Sequence, residues 1–283
     1  MHIIEYRASQ ADDTRPGHQT AKMLSMTQDL FRQDAYLPEC SAIVTAITPQ
    51  GIVLDRTVFY PLGGGQAGDS GVLLLPDGSQ ISIVDTRKGK AEDGSFSNEI
   101  CHQPNNDVLQ QLLIQDQTAG PHLTAGTPVM ARIDWARRHR MMRFHTATHL
   151  LCHIVPQLVN GCSITPDYAR LDFNMTEALD KDRLSAAIAG LVQAALPVAV
   201  GRITDAELDA NPALVKSMSV QPPRGSGQIR TIRIGSDTLI DLQPCGGTHV
   251  ANTAEIGQVV VTKIEKKSAM TRRVVLGFAP SIP

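Results

Sequence analysis

The chain has 283 residues, 42% of them hydrophobic and 19% charged, enough for two packed domains instead of one. Its formal net charge of −2 excludes a globally basic nucleic-acid binder, so a polyanion would have to meet a local patch. Five cysteines without a paired framework, a polar N-terminus and no apolar run of membrane length exclude a disulfide scaffold and a membrane partner, and predict a reducing, cytoplasmic setting.

Residues 1–26 mix Asp, Arg, Gly and Pro without periodicity and read as an N-terminal extension. From Ser41 the pattern turns to β. The runs SAIVTAIT, IVLDRTVF, GVLLL and ISIVD, broken at Pro49-Gln50-Gly51 and Pro76-Asp77-Gly78, predict a small β-barrel-like or sandwich domain over 27–128. Between the second and third runs lies FYPLGGGQAGDSG (59–71), which taken alone is a wide turn needing positive φ. Residues 105–117 have helical composition with Asn at the start, and Gly and Pro over 120–128 mark a loop before the second domain, 129–283.

That domain opens with the strand VMARIDW, and Asp134 is placed to cap a helix running to the breaker at Pro156. Its early turns carry Arg137, Arg138, Arg140 and Arg143, which form either a solvated face or a phosphate contact. A turn rich in small polar groups (160–167), the strand YARLDFN, an amphipathic helix over Thr176–Leu196, the strand VAVGRIT and a short helix in DAELDANPALVK follow. IRTIRI and DTLIDL read as a hairpin turned at Gly235-Ser236, and GQVVVTKIEK and RRVVLGF as two closing strands. The class is α+β: a β domain, then an antiparallel sheet with helices.

On the long helix His145 and His149 stand one turn apart on one face, so both imidazoles can reach one ion. His149 and His153 form a second, overlapping pair, and spacing alone does not choose between them. The hairpin delivers Cys245-Gly246-Gly247-Thr248-His249, in which two glycines let a thiolate and an imidazole converge. Thiolate with imidazole is a typical zinc ligand set. Cys40, Cys101 and Cys152 read as ordinary thiols, while Cys162 lies in the polar turn.

HTATHLL with CGGTHV, the RLDF segment and the basic RRV near the C-terminus resemble the editing domain of alanyl-tRNA synthetases. FYPLGGGQAGDSG resembles the glycine-rich signature of the free-standing AlaX editing proteins of medium length, and the motifs span roughly residues 30–278 in order. The resemblance implies Zn2+ held by His145, His149, Cys245 and His249, and hydrolysis of mischarged tRNA(Ala), chiefly seryl-tRNA(Ala) with glycyl-tRNA(Ala) as a second substrate. It makes Gly64, Gly65 and Gln66 candidates to close over the acceptor end of the tRNA. Synthetase editing domains often have a glutamine before the RxDF strand where this chain has Val159-Asn160-Gly161-Cys162-Ser163, so contacts to the amino acid are expected from Asn160, Ser163 or Thr165. Arg143, with the other helix arginines and Lys263, Lys266, Lys267, Arg272 and Arg273, is expected to meet phosphates. An apparent insertion at 102–128 has no assigned role.

Three other readings compete. A related metal pattern in the editing domain of threonyl-tRNA synthetases would direct the activity to seryl-tRNA(Thr). A zinc-stabilised module that binds tRNA without turnover is a second. A zinc hydrolase of small esters or peptides is disfavoured, because Thr146 follows His145 where the His-Glu-x-x-His motif has its glutamate.

Overall fold

The computed structural model describes residues 26–91, 93–114, 122–222 and 227–280. Except for Met26, the N-terminal extension lies outside the described residues. The first half runs β1 (Gln28–Asp29), β2 (Glu39–Thr48), β3 (Gly51–Leu54), β4 (Arg56–Thr57), β5 (Gly71–Leu74), β6 (Gln80–Lys90), β7 (Phe96–Pro104), α1 (Asn106–Ile114) and β8 (Pro128–Ile133). Six strands close into an antiparallel barrel in the order β2-β3-β7-β6-β5-β8. Period-2 alternation makes its interior: Ile81 and Ile83 of β6 point in while Ser82 and Val84 point out. Val44, Ile52, Leu54, Phe59, Leu73 and Ala131 fill the rest, so the barrel is a packed core without a lumen.

Two differences from the sequence reading concern the barrel's edges. Phe96–Pro104 is a strand pairing with β3 and β6, which places His102 inside the barrel. Its polar composition hid it: the core position is taken by an imidazole bonded to Thr57 Oγ1 (2.7 Å) and the Ile52 carbonyl (2.9 Å). Pro128–Ile133, expected to open the second domain, pairs with β2 and β5 and closes the barrel. The helix expected near 105–117 is α1, which buries Leu109 and Leu112.

The second half runs α2 (Trp135–Ile154), β9 (Val159–Ile164), β10 (Ala169–Asn174), α3 (Lys181–Gln193), β11 (Val198–Ile203), α4 (Asp205–Ala210), β12 (Ile229–Ile234), β13 (Asp241–Pro244), β14 (Val259–Ser268) and β15 (Thr271–Phe278). It holds a four-stranded antiparallel sheet, β14-β15-β10-β9, and a three-stranded one, β11-β12-β13. The amphipathic segment expected from Thr176 becomes helical only at Lys181, because the Asp180 carboxylate accepts from the Arg183 N–H and caps it there.

Helix α2 is the axle of the molecule. Asp134 caps it as expected, accepting from the Arg137 N–H. Phe144 to Cys152 are buried without interruption, so the helix is surrounded instead of lying on a surface with one apolar stripe. Phe144, Ala147, Leu150 and Leu151 pack into a core with Phe173, Ile232 and Leu276. The polar residues among them, His145, Thr146, Thr148 and His149, are therefore enclosed and need partners.

Candidate metal centre

Those partners converge on one point. The ligand atoms of His145, His149, Cys245 and His249 lie within 4.8 Å of one another, and Cys245 Sγ is 3.5 Å from His145 Nε2 and 3.3 Å from His249 Nε2. The first histidine pair is the one brought together with the CGGTH turn; His153 is not part of the cluster. Two elements make this possible: the i, i+4 spacing on α2, and the turn after β13, where Gly247 lies flat on the His145 ring. A Cβ built on Gly247 would stand 2.1 Å from His145 Cε1, so only glycine fits.

Each imidazole is held by its outer nitrogen. His145 Nδ1–H donates to Gln66 Oε1 (2.7 Å), and the Thr248 N–H, which can only donate, fixes that same oxygen (3.1 Å). His149 Nδ1–H donates to Asp241 Oδ2 (2.8 Å). His249 Nδ1–H donates to Thr146 Oγ1 (3.1 Å), whose own proton goes to the Met142 carbonyl (3.0 Å). All three Nε2 atoms are thereby turned towards the centre, which is the arrangement outer partners impose on metal-binding histidines.

Electrostatics agree. Burial pushes the Cys245 thiol up, but the His145 and His249 rings outweigh it and hold it well below its ordinary value, so the thiolate is favoured. Burial and His145 hold His249 well below its ordinary range, which keeps it neutral. Burial lowers His149, and the hydrogen bonds to Asp241 and Cys245 more than offset it, pushing it up to about 10. Proton and metal ion thus compete for His149. One thiolate and three imidazoles with outer-nitrogen partners fit a divalent ion of the zinc class.

The tetrad borders a cavity of about 290 Å³, at the lower end for small-ligand sites and so suited to one end of a large substrate. Gly64 lines it. Gly65 (φ +86°) lies behind, where a Cβ would meet Cys162 Sγ at 2.8 Å, and its carbonyl accepts from the Ile164 N–H (2.8 Å), tying the glycine-rich loop to the edge strand β9. Gln66 is fully buried under His145, donates from its amide to Thr248 Oγ1 (2.8 Å) and does not line the cavity. Neither Asn160 nor Thr165 reaches the cavity. Thr165 is exposed, its hydroxyl donating to the Tyr168 carbonyl (3.0 Å), and Asn160 faces Thr271 Oγ1 (3.4 Å). Ser163 does not line the cavity either.

The expected arginine cluster is also dispersed. Arg138 is wholly enclosed in an ion pair with Asp69, and Arg137 donates to the Gly68 carbonyl (2.6 Å). Arg140 and Arg143 stack over Phe278 at 4.5 and 4.1 Å and donate to the carbonyls of Pro166 and Ile256. Arg272 is committed to backbone carbonyls and Arg273 to Asp172. Sequence reasoning missed Asp241, Thr146 and Thr148. Asp241 carried a signal: with Gln243 and Cys245 it alternates along one strand and so shares the face of the thiolate.

Comparison with known proteins decides the family. The alanyl-tRNA editing protein AlaX-M of Saccharolobus solfataricus is 32% identical over 90% of this chain and 100% of its own length. The chain belongs to the AlaX-M family of alanyl-tRNA editing proteins. AlaX-M of Methanosarcina barkeri is likewise 32% identical, over 88% of this chain and 97% of its own. The alanine–tRNA ligase of Metallosphaera sedula is 33% identical over 87% of this chain but only 25% of the ligase, so the likeness is confined to one part of that enzyme. The family described as the threonyl and alanyl tRNA synthetase second additional domain matches residues 229–275, the segment that supplies β12, β13 and the CGGTH turn of this AlaX-M relative.

Proposed function

We propose that this protein is a trans-editing hydrolase that removes a wrongly attached amino acid from tRNA(Ala), chiefly serine and also glycine, with Zn2+ held by His145, His149, Cys245 and His249. The observation that carries it is the buried tetrad at the wall of the cavity, every imidazole turned by an outer partner so that its Nε2 faces inward. Zinc bound there supplies a fixed positive charge that favours attack of water on the ester carbonyl. The chain's own groups do the rest. Asp241, Gln66 and Thr146 keep the rings in register, and the cavity beside them receives the aminoacyl end.

Amino-acid selection falls to Thr148, which lines the cavity between His145 and His149. Its hydroxyl proton is spent on the His145 carbonyl (2.7 Å), which leaves a lone pair to accept from a seryl hydroxyl. Alanine, lacking that hydroxyl, leaves a buried acceptor unpaired, so the correct product is spared although it is smaller. Thr148→Val should narrow the serine-over-alanine ratio by about 10-fold or more, read from parallel deacylation time courses. An unchanged ratio would remove Thr148 from this role.

The substrate assignment is tested by deacylation of seryl-tRNA(Ala), alanyl-tRNA(Ala) and seryl-tRNA(Thr) side by side. Rapid loss from the first alone is expected. Preferential loss from seryl-tRNA(Thr) would move the activity to the threonyl side of the matched family, and binding of all three without hydrolysis would reduce the protein to a tRNA-binding module.

A further inference from the structure

The cavity beside the tetrad has a charge asymmetry that hydrolysis of the ester does not require. Its lining includes four cations, Arg32, Lys88, Lys216 and Arg230, and no aspartate or glutamate among the described residues, although the chain as a whole is negative. Arg230, on β12, donates from Nη1 to the carbonyls of Cys245 (2.6 Å) and Gly247 (3.0 Å), which fixes its guanidinium against the CGGTH turn. Its Nε is buried with no hydrogen-bond partner among the described residues. A buried cationic N–H without an acceptor is unfavourable, and an anion entering the cavity would supply one.

Arg32 reaches the same turn from the barrel side: a Cβ on Gly246 would stand 3.1 Å from its Nη1. Lys88, on β6, stands at the rim, where burial and the Arg32 charge hold its amine below the ordinary value. Asp29, bonded to Arg32, is the one carboxylate ion-paired with these three cations among the described residues. The same lining includes the apolar side chains of Val215, Val220 and Ile229. Cations together with apolar side chains match a nucleotide, which offers a phosphodiester on its backbone and a flat base.

We propose that Arg32, Lys88 and Arg230 form the subsite for the phosphodiesters next to the terminal nucleotide of the acceptor strand, with Val215, Val220 and Ile229 receiving its base. The assignment rests on the editing reading, because it uses the cavity beside the same tetrad. It moves the polyanion contact from the α2 arginines to a collar that only the barrel and the β12–β13 sheet together can form.

The test compares two esters of the same chemistry, seryl-tRNA(Ala) and phosphate-free 3′-O-seryl-adenosine, with the double variant Arg32→Gln/Lys88→Gln. Metal content and thermal midpoint serve as controls for folding. The variant should lose at least tenfold more kcat/KM on the tRNA than on the adenosine ester, mainly through KM. The slope of log kcat/KM against log salt on the tRNA should become shallower by about 1.4, two lost contacts to a single strand. Equal losses on both esters, or an unchanged salt slope, would overturn the proposal. If wild-type protein hydrolyses neither ester, the editing reading fails by itself. The subsite is then judged by titration with the trinucleotide pCpCpA: weaker binding by the double variant upholds it, and equal binding overturns it.

Discussion

Gln66 decides the orientation of the first ligand. Its carbonyl oxygen takes both the His145 Nδ1–H and the Thr248 N–H, while its amide donates to Thr248 Oγ1 (2.8 Å), so one side chain joins the glycine-rich loop, α2 and the CGGTH turn. Gln66→Leu strands two buried donors, at a cost of about 1–3 kcal/mol for each. It should also weaken metal affinity by roughly 10–100-fold, as loss of an outer-nitrogen partner does. Competition with a chromogenic chelator measures this, and unchanged affinity would show that His145 is oriented by packing alone. Asp241→Asn should act similarly through His149. A separate residue-scale prediction concerns His102, which burial pushes down to about 4 despite its bond to the Ile52 carbonyl. Its folded-state value lies below the unfolded value of about 6.5, so the unfolded chain binds the extra proton first. The stability it contributes, on the order of 3 kcal/mol, is present above about pH 6.5 and lost as pH falls towards 4. Urea denaturation across that window should show the fall in wild-type protein and a smaller one in His102→Gln; parallel pH profiles would contradict it. An i, i+4 histidine pair and a Cys-x-x-x-His turn were legible as local patterns, while the choice of His145 with His149 over His149 with His153 came from the family resemblance. Its outer partners were not: Gln66 is 79 residues from His145 and Asp241 is 92 from His149, so only the fold brings them together.

At the scale of elements, α2 and the loop before β5 are joined by one enclosed ion pair. Arg138 Nε donates to both Asp69 oxygens (3.0 and 2.9 Å), and its Nη atoms to the carbonyls of Ala35 (3.0 Å) and Val58 (2.6 Å). Asp69 also accepts from the Tyr60 N–H (2.7 Å), so almost every polar position of the pair is used. Arg138→Met alone leaves a carboxylate uncompensated and should cost about 3–5 kcal/mol. Arg138→Met with Asp69→Leu should recover much of that loss, since the charge left behind is removed too. A double variant no more stable than the single one would mean that the hydrogen bonds to Ala35 and Val58 matter more than the charge. This element also shows why the arginine-rich start of α2 misled sequence reasoning. Four arginines in two turns have the composition of a solvated face, but the first turns of α2 lie against loops of the first half and the end of β15, which turn them towards carbonyls, a ring and a carboxylate. Strand β7 was missed for the same kind of reason, a polar side chain taking a core position through partners elsewhere in the chain.

At the scale of the molecule, neither half holds the site alone. The barrel half contributes Gln66, Gly64, Arg32 and Lys88; the second half contributes the four ligands, Asp241, Thr148 and Arg230. The overall class follows from patterning, because β alternation and a long capped helix are local. The closing of the barrel by the strand just before α2 is a long-range pairing with β2 and β5 that no local pattern announces. The central claim, that a metal held by this tetrad drives hydrolysis of a mischarged tRNA, is tested most directly by loss of serine from seryl-tRNA(Ala). Zinc-loaded protein is compared with chelator-treated protein, and circular dichroism confirms that both are folded. Rapid release by the loaded protein, its loss on chelation and its return on re-addition of zinc are the predicted result. Equal rates from both folded samples would contradict the claim and leave the tetrad a structural staple.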